Sequence, residues 1–180
     1  MIRLFVGIPL PPSLRRQLGS FAAGIPNARW TPEENLHLTL RFIGEVDETT
    51  AGAVHDALAE LQAPAFTMTV GGCGTFEGGR RPVTLWLGVE RQPALVRLRD
   101  KVESALVRVG LPAESRRFQP HITLARMKDP PLPKLHAFVA GHNLFHDSVP
   151  VTSFVLFSSH LGRGEPIYTA EAEYPLTADS

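Results

Sequence analysis

The chain of 180 residues carries a single cysteine, Cys73, so no disulfide can form within it. Small secreted folds that depend on disulfide staples are thereby excluded. No uninterrupted apolar run approaches the roughly 20 residues of a membrane-spanning helix, so no membrane partner is expected. An excess of one charge is missing too: Lys plus Arg and Asp plus Glu number 18 each. A chain so balanced is no general magnet for nucleic acid or anionic lipid, and any phosphate-backbone contact must come from a local basic patch. No segment is of low complexity, and no run of like charge is long enough to be a tail. The opening "MIRLFVGIPLPP" is broken by Gly7 and Pro9 and lacks a small-residue cleavage site; it reads as a first β-strand, not a signal peptide. One thiol and no export signal make a reducing cytoplasm the expected compartment.

What is present is ordinary globular material, 43% apolar and 20% charged, enough for one domain or two small lobes sharing a core. A strand is predicted over residues 2–8. Leu14, Leu18 and Phe21 fall at helical spacing, with Ser13 as N-cap and Gly24 as stop. A strand over 36–43 is followed by a helix that Asp47 caps, with Val54, Leu58 and Leu61 on one face. Two strands, 65–70 and 83–89, flank a Gly-rich loop in which "GGCG" (71–74) reads as a turn, since it lacks the G-K-[ST] of a phosphate loop. The clearest helix is 93–109, with Leu95, Leu98, Val102, Leu106 and Val109 in one stripe and Gly110 ending it. Strands near 120–125, 151–159 and 167–176 follow, with a Pro-rich loop and short helix in between. The last strand alternates, so Tyr168, Ala170, Ala172 and Tyr174 are expected on one face. The mixed order predicts an α+β fold with largely antiparallel sheets.

Within this order one short pattern occurs twice: "HLTL" at 37–40 and "HITL" at 121–124. Successive strand side chains point to opposite faces. His37, Thr39 and Arg41 are therefore expected on one face, with Leu36, Leu38, Leu40 and Phe42 on the other. His121 and Thr123 repeat the arrangement against Ile122 and Leu124. Two such strands facing one groove would present two imidazoles and two hydroxyls to a common ligand, in a single bilobal domain (1–180) with one H-x-T-x motif per lobe. Imidazole titrates near neutrality, so one of a pair can take a proton while the other gives one. Phosphodiester cleavage needs both, because a poor alkoxide leaving group must be protonated. Thr hydroxyls suit phosphoryl oxygens, and Arg126 adds a forked donor. In a regular strand Arg126 is out of phase with His121. It reaches the groove only where the strand ends or bulges near Ala125.

These motifs and their flanks, "RWTPEENLHLTLRFIGEV", "FQPHITLAR", "RLFVGIPLP", "LWLGV" and "FSSHLGRGEPIYTAEAEYPL", resemble the two-histidine phosphoesterase superfamily. Within it they are similar to the bacterial RNA 2′,3′-cyclic phosphodiesterases, also called 2′-5′ RNA ligases. The resemblance implies a bilobal fold, two antiparallel sheets flanked by helices with a groove between. It implies metal-independent opening of RNA-terminal 2′,3′-cyclic phosphate to a 2′-phosphate, with no cofactor and with reversible ligase activity. It assigns His37 as proton donor to the leaving 3′ oxygen and His121 as proton acceptor from water, a distinction that spacing does not make.

Other residues are weighed beside these. Phe118 and Tyr168 are candidates for stacking on a base. Arg116, Arg117, Arg126 and Arg163 can form only a short basic patch, which keeps open a small nucleotide substrate such as ADP-ribose cyclic phosphate or a 2′-5′ oligoadenylate. A non-catalytic RNA-end binder is a third reading, though binding alone does not call for both an acid and a base. His142 and His146 stand at i, i+4, a metal-ligand spacing, but Gly141 and Asn143 weaken the helix and no metal is expected. His55, His136 and His160 read as surface or capping residues. Cys73 has no neighbouring base to activate it. The chain is expected to act as a monomer.

Overall fold

The structure, a computed structural model, describes residues 1–78 and 81–178. Its elements run β1 (Ile2–Pro9), α1 (Pro12–Ser20), β2 (Arg29–Trp30), a 3-10 turn (Glu33–Asn35), β3 (His37–Val46), α2 (Glu48–Ala59), β4 (Phe66–Gly78), β5 (Arg81–Val89), α3 (Pro93–Arg108), β6 (His121–Met127), α4 (Leu132–His142), β7 (His146–Val151), β8 (Ser153–His160) and β9 (Ile167–Pro175). The fold is α+β.

The strands form one curled sheet in the order β7-β4-β5-β6-β3-β1-β8-β9, with β2 beside β6, and all its pairings are antiparallel. The two expected sheets thus meet edge to edge, joined at the centre by the single pair Leu38–Ile122. The chain traces the same path twice, β1-α1-β3-α2-β4 and β5-α3-β6-α4-β8. The last strand of each pass crosses to the other half, β4 pairing with β5 and β8 with β1. One face of the sheet is apolar: Leu38, Leu40, Leu85 and Ile122 join one core cluster with Leu18 of α1, Leu58 of α2, Leu98 of α3 and Phe138 of α4. Burying each such side chain contributes about 1.5–3 kcal/mol.

Bulges decide what the other face shows. Against β1, Arg41 pairs with Val6 and Thr39 with Gly7, so Leu40 is an extra residue in β3. Against β5, Ala125 pairs with Leu85 and Thr123 with Trp86, so Leu124 is an extra residue in β6. Each bulge turns two successive residues inward, Leu40 with Arg41 and Leu124 with Ala125, all buried. Alternation then resumes out of step. Phe42, not Arg41, shares the face of His37 and Thr39, which corrects the alternation read from the sequence. The same shift in β6 brings Arg126 onto the face of His121 and Thr123. Arg41, 7% exposed, points into the core side. Its Nε donates to Glu103 Oε2 of α3 at 2.6 Å, Nη1 to the carbonyl of Phe42 at 2.7 Å, and Nη2 to the carbonyl of Pro112. A third bulge, at Glu171 opposite Leu156 and Phe157, separates Tyr168 from Tyr174. Tyr174 is buried against Phe154, while Tyr168 lies on the groove side against Phe5.

Other boundaries differ from expectation for local reasons. Helix α1 is capped by Pro11 with Pro12 at its first position, so Ser13 lies inside it, and it ends at Ser20, before Gly24; Pro suits that first turn, where the N–H has no partner anyway. Asp47 does cap α2, accepting from Thr50 N at 2.7 Å. "GGCG" is not a turn but part of β4. Its glycines allow close approach: a Cβ at Gly74 would overlap the ring of Trp86, and one at Gly71 the ring of His146. The tip of that expected loop, 79–80, lies outside the described residues. The region 146–151, without apolar alternation in the sequence, is strand β7 on β4, separate from β8. Among the described residues no helix is long and apolar enough to cross a membrane.

Candidate active site

The Leu38–Ile122 pair places the two motifs side by side in opposite directions, so His37 stands across from Thr123 and Thr39 across from His121. Beyond this pair β3 and β6 diverge, and β2 enters the opening on β6, held by Thr31 N on Leu124 O at 2.9 Å and Thr31 Oγ1 on Thr123 O at 3.0 Å. The four motif side chains and Arg126 line one cavity of about 480 Å3.

Both histidines are oriented in the same way. Nδ1 of His37 lies 2.6 Å from Asn35 O, and Nδ1 of His121 lies 2.6 Å from Gln119 O, in each case the carbonyl two residues before. A carbonyl only accepts, so Nδ1 carries a proton in both rings and Nε2 is left for chemistry. Nε2 of His37 is 2.8 Å from Thr39 Oγ1, which donates to the neutral ring and accepts from the protonated one. Burial holds both imidazoles below their usual pKa, because charge is costly away from water. Arg126 acts in the same direction on both, and His121 adds to the effect on His37, whereas the Asn35 and Gln119 carbonyls oppose it. His37 packs among Phe5, Phe157 and Tyr168, with ring centroids 4.9, 5.9 and 5.4 Å away. His121 meets the edge of Phe76 at 4.9 Å.

Cations and a loop complete the cavity. Arg3 and Arg29 stand with Arg126 around it, and Arg3 also lies over the Phe42 ring at 5.3 Å. Arg29 Nη2 donates to Gly164 O at 2.6 Å and Asn35 Nδ2 to Pro166 O at 2.8 Å, latching the loop before β9 to the mouth. Asn35 is buried and does two jobs: its carbonyl orients His37 and its amide ties this loop.

Of the remaining candidates, Tyr168 lines the cavity, but Phe118 does not; its ring lies in two clefts that adjoin the cavity at His121. Arg116 and Arg117 share one of those clefts with Arg126, whereas Arg163 lines none of the three. His142 ends α4, its Nδ1 2.8 Å from Phe138 O and its ring 4.1 Å from that phenyl ring, while His146 opens β7. No group of three or more His, Cys, Asp or Glu converges among the described residues. Burial pushes the Cys73 thiol up, away from the reactive thiolate. Asn35, Arg29 and Phe5 went unread in the sequence, and Phe42, expected on the core face, lines the cavity. The orienting acceptors are main-chain carbonyls, which any residue supplies, so the sequence held no signal for them.

A sequence profile of the 2′-5′ RNA ligase superfamily matches residues 10–163. The chain is 39% identical over 150 residues to the RNA 2′,3′-cyclic phosphodiesterase of Aeropyrum pernix, covering 81% of this chain and 84% of that one. It is 33% identical over 179 residues to the Escherichia coli protein of the same name, covering 97% of each. The crystal structure of E. coli LigT complexed with 3′-AMP superposes with a TM-score of 0.77 at 32% identity, covering 98% of each chain. With the profile spanning most of its length and both H-x-T-x strands facing one cavity, this chain belongs to the 2′-5′ RNA ligase superfamily.

Proposed function

We propose that the protein opens RNA-terminal 2′,3′-cyclic phosphate to a 2′-phosphate by paired acid–base catalysis. The observation that carries this is the arrangement of two imidazoles, each with Nδ1 committed to a carbonyl and Nε2 left for proton transfer, in one cavity with Thr39, Thr123 and Arg126. Water attacks phosphorus and gives its proton to His121 Nε2; the P–O3′ bond breaks and O3′ takes a proton from His37 Nε2. The 2′ oxygen stays on phosphorus, and solvent exchange resets both rings. His121 as base is supported by its position where the cavity opens into further clefts, and His37 as acid by its aromatic surroundings, which suit the sugar side of the substrate. Thr39, Thr123 and Arg126 hold the phosphoryl oxygens as charge builds on them. Bound anionic phosphate raises both imidazole pKa values against the effect of burial, so His37 is charged when its proton is needed.

A small cyclic nucleotide is the second reading, favoured by the short reach of the basic patch and the lack of net charge. The residues of the site all come from one chain, which fits action as a monomer, and the lone thiol fits the cytoplasm. The test is turnover, in excess EDTA, of an oligonucleotide ending in 2′,3′-cyclic phosphate beside the cyclic mononucleotides. The expected result is a 2′-phosphate product, with the oligonucleotide preferred. A 3′-phosphate product, or a chelated enzyme revived only by a divalent ion, would overturn the mechanism; preference for a mononucleotide would select the second reading.

A further inference from the structure

The His37 ring is set by a residue that lies outside the sheet. Strand β3 begins at His37, paired with Pro9 at the end of β1. The Asn35 carbonyl that accepts from Nδ1 of His37 therefore belongs to the 3-10 turn before the strand. Such a turn is a weak holder. Its bonds, Asn35 N to Pro32 O at 2.9 Å and Leu36 N to Glu33 O at 3.2 Å, have the poorer geometry of a 3-10 helix, and no side chain caps it at Pro32. Among the described residues, a single hydrogen bond runs from a side chain of this turn: Asn35 Nδ2 to Pro166 O, at 2.8 Å. Asn35 is 5% exposed, and a buried N–H that loses its partner costs free energy, so turn and loop hold each other. The loop is otherwise open to water. Leu161 is 96% exposed, and the second latch, from Arg29 to Gly164 O, is exposed too. Yet Leu161, Gly162, Gly164, Glu165 and Pro166 all line the cavity. The other half has no such device. Gln119, whose carbonyl orients His121, is exposed, and its side chain makes no hydrogen bond among the described residues.

We propose that Asn35 is a positioning residue for the proton-donor step: through its amide, the loop 161–166 holds the carbonyl that aims His37. The inference rests on the reading above, in which His37 Nε2 gives its proton to O3′. With the loop seated, the Asn35 carbonyl keeps a proton on Nδ1, and Nε2 carries the one to be given. With the latch cut, the turn drifts and the carbonyl with it. The ring then loses the bond that fixes both its tautomer and its direction. A substrate in the cavity meets the loop, so contacts at the mouth are passed to the acid, and by linkage a set acid favours the seated loop. Binding at the mouth thereby becomes rate and not only affinity. The electrostatics point the same way. Burial, His121 and Arg126 lower the pKa of His37, and the Asn35 carbonyl is what opposes them. Around the ring, β1 and β8 present Phe5 and Phe157, β9 the Tyr168 phenol, β3 Thr39, and β6 His121 and Arg126. Arg3, Arg29 and Glu165 also line the cavity. Among the described residues no carboxylate hydrogen-bonds to either nitrogen of His37, so the carbonyl carries this task alone.

The near-isosteric Asn35→Leu removes the amide donor and leaves the main chain. The substrate is whichever of 2′,3′-cyclic AMP and a cyclic-phosphate oligonucleotide the native protein turns over faster. In Asn35→Leu kcat should fall at least about tenfold, toward the roughly hundredfold that a misplacement of about 1 Å costs, while KM changes little. Added to His37→Ala, the same substitution should cost little more, because a residue that acts through the ring has nothing left to position. Nitrogen-15 NMR of the histidine rings reads the cause directly. In the native protein neutral His37 should carry its proton on Nδ1. In Asn35→Leu that preference should weaken and the ring should titrate at lower pH, with His121 keeping its Nδ1 proton. Gly162→Ala repeats the test from the loop without touching β3. A Cβ there would meet Glu165 O at 2.5 Å, so the loop must shift, and the same change at His37 should follow. Confined to the loop, this variant reports even where Asn35→Leu folds poorly. A His37 ring unchanged in either folded variant, or a loss from Asn35→Leu that adds in full to that of His37→Ala, would overturn the positioning role and leave the two-histidine reading standing. A native rate in His37→Ala, or a native protein that turns over neither substrate, would overturn that reading, and this inference with it.

Discussion

At the scale of single residues, the cavity sets neutral hydroxyls and the guanidinium of Arg126 beside two rings that burial keeps from charging easily. Thr123 tests the donors, because its hydroxyl lines the cavity with no hydrogen-bond partner among the described residues while its backbone is held by Thr31. Thr123→Val keeps the β-branched shape, so the thermal midpoint should hardly move. Turnover should fall by about tenfold to a thousandfold, as when one oxyanion donor is removed; near-normal turnover would take the hydroxyl out of the site. Arg126 tests the charge. Burial first, then Arg126, lowers the pKa of His121; the same two, with His121 itself, lower that of His37. The base must be neutral and the acid protonated, so both limbs of the kcat/KM profile of the free enzyme should lie below about 6.5, as macroscopic values of the pair. Arg126→Met removes a cation that disfavours imidazolium, so both limbs should move up in pH as the rate falls. Arg126→Lys keeps the charge and loses the fork; its rate should fall while its limbs stay. Limbs that do not move in Arg126→Met would show that the guanidinium does not act on the rings.

At the scale of elements, a one-residue bulge decides which side chains reach the groove. Leu40 and Leu124 are the extra residues, and the side chains beyond each of them exchange faces. In β6 this delivers Arg126 to the cavity; in β3 it sends Arg41 inward and Phe42 out. Arg41 is then obliged to find partners, and Glu103 with the Phe42 and Pro112 carbonyls supplies them. The guanidinium thereby ties β3 to α3 just beyond the motif. Arg41→Ala leaves the Glu103 carboxylate without its cation and should cost about 3 kcal/mol in denaturant unfolding. A matched apolar pair, Arg41→Met with Glu103→Leu, should recover most of that loss. If Arg41→Ala unfolds like the native chain, the pair does not anchor the bulge.

At the scale of the whole molecule, one site is assembled from two halves that each supply one histidine. His37→Ala or His121→Ala alone should lower the rate by at least about a hundredfold. The double variant should be little slower than the slower single one, because the two rings act within one turnover; losses that add fully in log rate would argue that they do not. The chain path explains why the halves stay together. β4 and β8 cross between them, so the groove does not depend on the single Leu38–Ile122 pair at its floor.

Much of this was legible in the chain before any coordinates. Periodicity marks α3 through Leu95, Leu98, Val102 and Leu106, and Asp47 marks the start of α2, because helix spacing and capping are local properties of neighbouring residues. The repeated H-x-T-x pattern by itself puts an imidazole and a hydroxyl on one strand face in each half, since that follows from period two alone. What tertiary structure decided is what depends on partners distant in sequence. Strand pairing places the bulges at Leu40 and Leu124, so only it could turn Arg126 outward and Arg41 inward. The glycines of β4 read as a turn until Trp86 and His146 are seen lying against them, and β7 lacks a pattern because it depends on pairing with β4. The cleft beyond His121 draws its walls from β4, β5 and the segment before β6. Local pattern therefore nominates the paired imidazoles, and the meeting of remote segments decides which other side chains share their cavity.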